Sequence, residues 1–286
     1  MRWTPHGRSP DLEDRRGSSG FGGFGGGGMR IGLGGAAVLL VLSLLFGRNF
    51  FALLGGGDGS VAMQPATDSA MVATSPDEER EIQFVSFVLD DAQSTWERLF
   101  RDRGESYRHA KLVLFRDAIQ SACGFAQTAT GPFYCPGDEK VYIDLGFYDE
   151  LKQRFGAPGD FAEAYVLAHE LGHHVQRLMG TEARVREAQE RRPELANEYS
   201  VRLELQADCY AGVWGHETAQ RQILEAGDVE EGLQAAAAVG DDRIQRMSGQ
   251  GVHPEAFTHG TSEQRVGWFK RGLQSGRPED CDTFQS

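Results

Sequence analysis

At 286 residues the chain is long enough for one sizeable domain together with an anchor or tail. Apolar residues make up 40% and charged residues 25%, as in ordinary globular proteins. The formal charge of -13 excludes a nucleic-acid partner, because phosphate binding needs clustered Lys and Arg; the acidity serves solubility.

Residues 1–30 read as a disordered tail. Arg2, Arg8, Arg15 and Arg16 mix with Asp11, Glu13 and Asp14, and a tract of glycine, serine and phenylalanine follows. Such a composition buries too little apolar surface to offset chain entropy. Residues 31–54 are the one strongly apolar stretch, interrupted by Arg48 and Asn49. A spanning helix needs roughly 17–25 residues, which this stretch reaches if Arg48 snorkels to the interface. A cleaved signal peptide is the rival, yet Ser60-Val61-Ala62 lies far beyond the apolar core. The arginines ahead of the span place the N-terminus in the cytoplasm and the remainder outside it, at the inner membrane of the cell.

Residues 55–76 are rich in Gly, Ser, Thr, Ala and Asp and read as a linker, so the folded domain is 77–286. Over 79–103, Val85, Val88, Leu89, Ala92, Trp96, Leu99 and Phe100 recur at helical spacing behind a Ser75-Pro76-Asp77 start. Residues 111–115 and 140–145 have strand length and character, separated by turn signals at Gly131-Pro132 and Pro136-Gly137-Asp138. A short helix is expected over 148–155, then helices over 160–179, 182–189, 193–216, 229–238 and 262–274. The fold class is a mainly helical α+β domain with a small sheet, preceded by one transmembrane helix.

The four cysteines are Cys123, Cys135, Cys209 and Cys281. None forms a CxxC pair, which argues against a cysteine-type structural zinc site. Outside the cytoplasm an even number suits two disulfides. Cys123 and Cys135, close in sequence around a turn-rich stretch, are the first pair, and Cys209 with Cys281 follows by elimination; four reduced thiols are the alternative.

The segment His169-Glu170-Leu171-Gly172-His173 carries an HExxH pattern inside a helix-compatible run. Residues four apart share a helix face, so His169 and His173 can direct two imidazoles at one zinc ion. Glu170 is rotated away from both and can serve a water molecule as general base. A metzincin would need Gly at position 176 and His at 179, where this chain has Gln176 and Met179. Glu204, on the later helix, supplies the third ligand instead. Asp208, four residues on, can accept a hydrogen bond from the far nitrogen of a ligating histidine. An ordinary acidic helix surface is the competing reading, but Leu203, Ala207 and Ala211 favour burial.

His169-Glu170-Leu171-Gly172-His173 with Glu204, Ala207 and Asp208 resembles the gluzincin-type membrane proteases, the heat-shock and CAAX-processing families among them. The chain is more similar still to the bacterial putative neutral zinc metallopeptidase family of single-span membrane proteins. That resemblance rests on Leu12-Glu13-Asp14-Arg15-Arg16-Gly17, Gly131-Pro132-Phe133-Tyr134-Cys135-Pro136 and Val141-Tyr142-Ile143-Asp144. It continues through Ala168 to Gln176, Glu204 to Cys209, Val239-Gly240-Asp241-Asp242, Phe257-Thr258-His259-Gly260 and Arg265. It implies a zincin-like fold, one Zn2+ ion and hydrolysis of a peptide or protein substrate. By the same resemblance His259 becomes an oxyanion donor; bracing the last helix is the alternative.

His174 points away from His169 and is expected to pack. Asp241-Asp242 read as the N-cap of a following turn, and residues 140–145 as an edge strand open to an extended substrate. Two other functions fit the motifs: a zinc-containing regulatory or binding ectodomain without turnover, and a zinc amidase acting on a non-peptide cell-wall bond.

Overall fold

The computed structural model describes residues 1–17, 74–128 and 131–285. The apolar stretch 31–54 and nearly all of the expected linker lie outside them. Among the described residues no helix is long and apolar enough to cross a membrane.

Helix α1 (Pro76–Asp102) starts where its sequence signals place it. Ser75 Oγ accepts the Glu78 N–H at 3.1 Å, Pro76 fills the first turn, and Asp77, Glu78 and Glu79 meet the positive end of the helix dipole. The expected apolar stripe is its buried face, with Val85, Val88, Leu89, Ala92 and Trp96 almost fully enclosed.

The sheet has four strands in the order β1 (Leu12–Asp14), β2 (Lys111–Phe115), β6 (Lys140–Asp144) and β5 (Phe133–Cys135). β1 and β6 run parallel to β2, and β5 runs antiparallel to β6. A separate hairpin joins β3 (Ala118–Ser121) to β4 (Gly124–Gln127). Alternate side chains leave opposite faces of the sheet. Leu112, Leu114, Val141 and Ile143 enter the main core, while Val113, Phe115 and Tyr142 meet Ile119 and Ala126 of the hairpin. Both faces are covered, which is why β2 reads as an unbroken apolar run. The expectation of an open edge at residues 140–145 is corrected: β6 is interior, and the edge beside it is β5.

Seven helices follow: α2 (Gly146–Gln153), α3 (Asp160–Leu178), α4 (Thr181–Arg191), α5 (Ala196–Gln220), α6 (Asp228–Ala238), α7 (Asp241–Met247) and α8 (Ser262–Ser275). α3 is the hub, packed between α1, β5 and β6 on one side and α5 and α6 on the other. α8 lies against α5 at backbone distance. A Cβ on Gly272 would fall 1.9 Å from the Cys209 carbonyl oxygen, so only glycine permits this approach. The architecture is mainly helical α+β, as the sequence pattern indicates.

Residues 1–17 do not form the expected disordered tail. β1 pairs with β2 in the register Leu12 to Leu112, and Trp3 packs on Phe84 with ring centroids 5.3 Å apart. The charges that suggested solvation are cross-linked to the domain. Arg8 binds Glu79, Arg16 binds Asp14 and Glu78, and Glu13 meets Lys140 at 2.7 Å. The Asp14 carboxyl is drawn down to about 2, chiefly by its hydrogen bonds from Arg16. Residues paired in one sheet share one face of any membrane, so β1 and β2 lie on the same side.

Candidate metal centre

α3 carries a row at four-residue spacing, Tyr165, His169 and His173, directed toward α5. Gly172 sets the distance between the two helices. A Cβ there would sit 2.9 Å from the Ala207 carbonyl oxygen, so the bare glycine lets α5 close in and bring Glu204 across. His169 Nε2 lies 3.2 Å from one Glu204 carboxylate oxygen, and His173 Nε2 lies 3.4 Å from the other. These three donors are within 4.8 Å of one another. Zinc bonds of about 2.0–2.1 Å set neighbouring donors about 3.3 Å apart, and each imidazole lies at about that distance from one oxygen of the same carboxylate.

The ring orientation fits as well. His169 Nδ1 is 2.9 Å from Asp208 Oδ1, and a carboxylate can only accept, so an N–H sits on Nδ1 and Nε2, turned to Glu204, is the nitrogen that a cation would take in place of a proton. Asp208 is completely buried. Burial raises its carboxyl, but the Arg265 guanidinium and His169 outweigh that and hold it below the ordinary carboxylate range. Arg265 binds it through Nε and Nη2, each at 2.8 Å, and Tyr165 donates its hydroxyl to the same carboxylate. Burial likewise works against an ionised Glu204, yet His173 and His259 hold it well below its ordinary value. Glu170 is buried beside the pair, whereas His173 and Glu204 are only partly covered, so one side of the cluster opens to solvent.

A family model described as "Putative neutral zinc metallopeptidase" matches residues 1–284. The chain belongs to this family. The chain is similar to "Uncharacterized protein YpfJ" of Escherichia coli (strain K12) and to "Uncharacterized protein Rv2575" of Mycobacterium tuberculosis (strain ATCC 25618 / H37Rv). The first is 48% identical over 287 residues, covering 99% of each chain. The second is 38% identical over 234 residues, covering 78% of this chain and 77% of the relative. No solved structure matches the chain.

The structure brings together residues that are scattered in sequence: the HExxH segment on α3, Glu204 and Asp208 on α5, Arg265 on α8, and His259 in the loop before α8. His259 is half-exposed, with Nδ1 3.2 Å from Asp241 Oδ1. It is close enough to Glu204 for the two charges to act on each other. Asp241 is not the N-cap that the sequence suggests, because Gly240 holds that place. Asp241 instead gathers the backbone N–H groups of Thr258, His259 and Gly260 at 2.8, 2.6 and 3.0 Å, fixing the loop that presents His259.

His174 turns away as expected and is buried, with its ring between the Arg108 carbonyl at 2.6 Å and the Tyr134 hydroxyl at 3.0 Å. Both cysteine pairs are bridged, Cys123 to Cys135 and Cys209 to Cys281. A second acidic cluster is formed by Asp160, Asp228 and Glu231, and the Met1 amino group meets two of its members, Asp160 at 2.8 Å and Asp228 at 3.3 Å. Sequence reasoning missed the bidentate Arg265 clamp and the Tyr165 hydroxyl. The four-residue step back from His169 to Tyr165 was the available signal for the latter.

Proposed function

We propose that this chain is a membrane-anchored zinc peptidase of zincin-like fold, in which His169, His173 and Glu204 hold one Zn2+ ion and Glu170 is the general base. The observation that carries the reading is the convergence of two imidazole Nε2 atoms on one carboxylate, with a buried carboxylate orienting one ring. When bound, zinc supplies the Lewis acidity that makes water a nucleophile near neutral pH. Glu170, one residue from His169, takes the proton of the attacking water and passes it to the leaving amine. His259, steadied by Asp241, donates to the scissile carbonyl oxygen as charge builds there. A peptide or protein is the substrate.

Residues 31–54 supply the membrane contact in this reading. Two disulfides call for an oxidising compartment, so the domain lies outside the cytoplasm. With β1 in its sheet, residues 1–17 lie there too. The arginines that argued for a cytoplasmic tail are already neutralised by Glu79, Asp14 and Glu78.

The test uses the full chain in detergent, because removing residues 1–17 would strip a strand from the sheet. Casein cleavage should be abolished by a chelator and restored by zinc. Glu170→Gln should keep the metal and lose about 10²- to 10⁴-fold in rate, the usual contribution of general acid–base catalysis. Zinc binding without cleavage of any peptide would favour the regulatory ectodomain. Cleavage confined to cell-wall amides would favour the amidase.

A further inference from the structure

His169 is oriented by a charged carboxylate; His173 has no such partner. Its Nδ1 lies instead 2.9 Å from Gln176 Oε1. The identity of that amide atom follows from the other end of the side chain. Gln176 Nε2 faces the Leu203 carbonyl at 2.7 Å and Gln206 Oε1 at 3.1 Å. A carbonyl oxygen only accepts, so the NH2 group must point there and the amide oxygen must point at His173. Gln206 is fixed in the same way, since its Nε2 donates to the Cys281 carbonyl at 3.0 Å. Gln176 is wholly buried and Gln206 nearly so. Every flip is thereby forbidden by a buried carbonyl, and the chain of bonds has one polarity.

That polarity ends on the imidazole. An amide oxygen at Nδ1 requires the N–H there, which turns Nε2 toward Glu204 as the nitrogen that a cation would take in place of a proton. Cys281, at the far end, is tied to α5 by its disulfide to Cys209, with Cα atoms 5.5 Å apart. Thr283 adds a hydrogen bond to the Arg202 carbonyl at 2.7 Å. The carboxyl-terminal segment is thus fastened to the helix that carries Glu204.

We propose that Gln176 and Gln206 are positioning residues that set the tautomer and ring angle of His173, with the Cys281 carbonyl, held by the Cys209–Cys281 disulfide, as their anchor. The proposal rests on the zinc reading above and assigns the two imidazoles different orienters. His169 has a buried ion pair; His173 has a neutral relay that ends on the disulfide-bonded Cys281 near the carboxyl end of the described residues. Loss of such a partner commonly weakens metal binding about 10- to 100-fold.

The test measures zinc affinity of the full-length protein by competition with a chromogenic chelator. Gln176→Met and Gln206→Ala should each weaken binding, with Gln176→Met reaching about 10- to 100-fold. The double variant should be no weaker than Gln176→Met alone, because both residues act through one path. The Cys209→Ala/Cys281→Ala pair should weaken zinc binding, whereas Cys123→Ala/Cys135→Ala should leave it unchanged. Histidine 15N spectra of the metal-free protein give a second readout: Nδ1 of wild-type His173 should be protonated, and Gln176→Met should populate the form with a bare Nδ1.

Should the wild type bind zinc while both glutamine variants bind within twofold of it, the relay is overturned. A wild type that binds no zinc sinks the underlying reading instead, and the spectra still decide the relay, since an Nε2–H tautomer at His173 contradicts it.

Discussion

The metal cluster and the amino-terminal strand differ in how far apart their parts lie in sequence. His169 and His173 sit one turn apart on α3, so helix geometry alone predicts their common face. β1 is three residues long and owes its place to partners such as Glu79, Lys111 and Lys140. No local periodicity announces such a strand. Charges spaced along a Gly-poor run look the same whether water or a distant ion pair satisfies them. The comparison teaches that local geometry is readable from residues, while cross-chain neutralisation is readable only from the fold.

The sharpest way to break this comparison is a topology experiment with an all-or-none outcome. Thr4 and Glu105 are both exposed, and all four native cysteines are bridged. Thr4→Cys and Glu105→Cys should therefore react with an impermeant maleimide from the same side of the membrane. Labelling from opposite sides would show that β1 does not sit in the sheet of the anchored protein.

Next in size is Arg265→Ala. It strands the buried Asp208 carboxylate beside His169, and breaking a buried pair in this way costs about 3–5 kcal/mol. Chemical denaturation should show the loss, and zinc binding should weaken with it. A change of less than about 1 kcal/mol, the worth of an exposed pair, would mean that the clamp is solvated.

A smaller effect concerns Glu163, on α3 one turn from Asp160. Burial, with Glu81 and Asp160 nearby, pushes its carboxyl up to about 8 from an ordinary 4.5. The folded state then binds more protons than the unfolded state between those values, so its contribution to stability is full below 4.5 and lost as pH rises through about 8. Glu163→Gln should flatten that decline and melt higher than the wild type at pH 9. Parallel melting curves for the two proteins from pH 5 to 9 would contradict the assignment.

Much of the fold was legible for the same physical reason as the HExxH pair. α1, β2, β6, α2 to α6 and α8 each bury a periodic face, and their expected positions agree with the structure to within a few residues. β3, β4 and β5 were not seen, being three or four residues long and held by a hairpin and a disulfide. α7 has no buried residue, so it leaves no pattern. Within the site, Glu204 and Asp208 were found from their four-residue spacing. Gln176 entered the sequence argument as the absence of a metzincin glycine and as the end of the Ala168 to Gln176 stretch, and nothing in its surroundings marked it as the partner of His173.

The central claim is that α3 and α5 together present one three-donor cation site. Metal analysis of the full-length protein, with His169→Ala and Glu204→Ala alongside, tests it most directly. One zinc per wild-type chain and substantial loss in both variants is the predicted result. Full zinc stoichiometry in both variants, or none in the wild type, would contradict it.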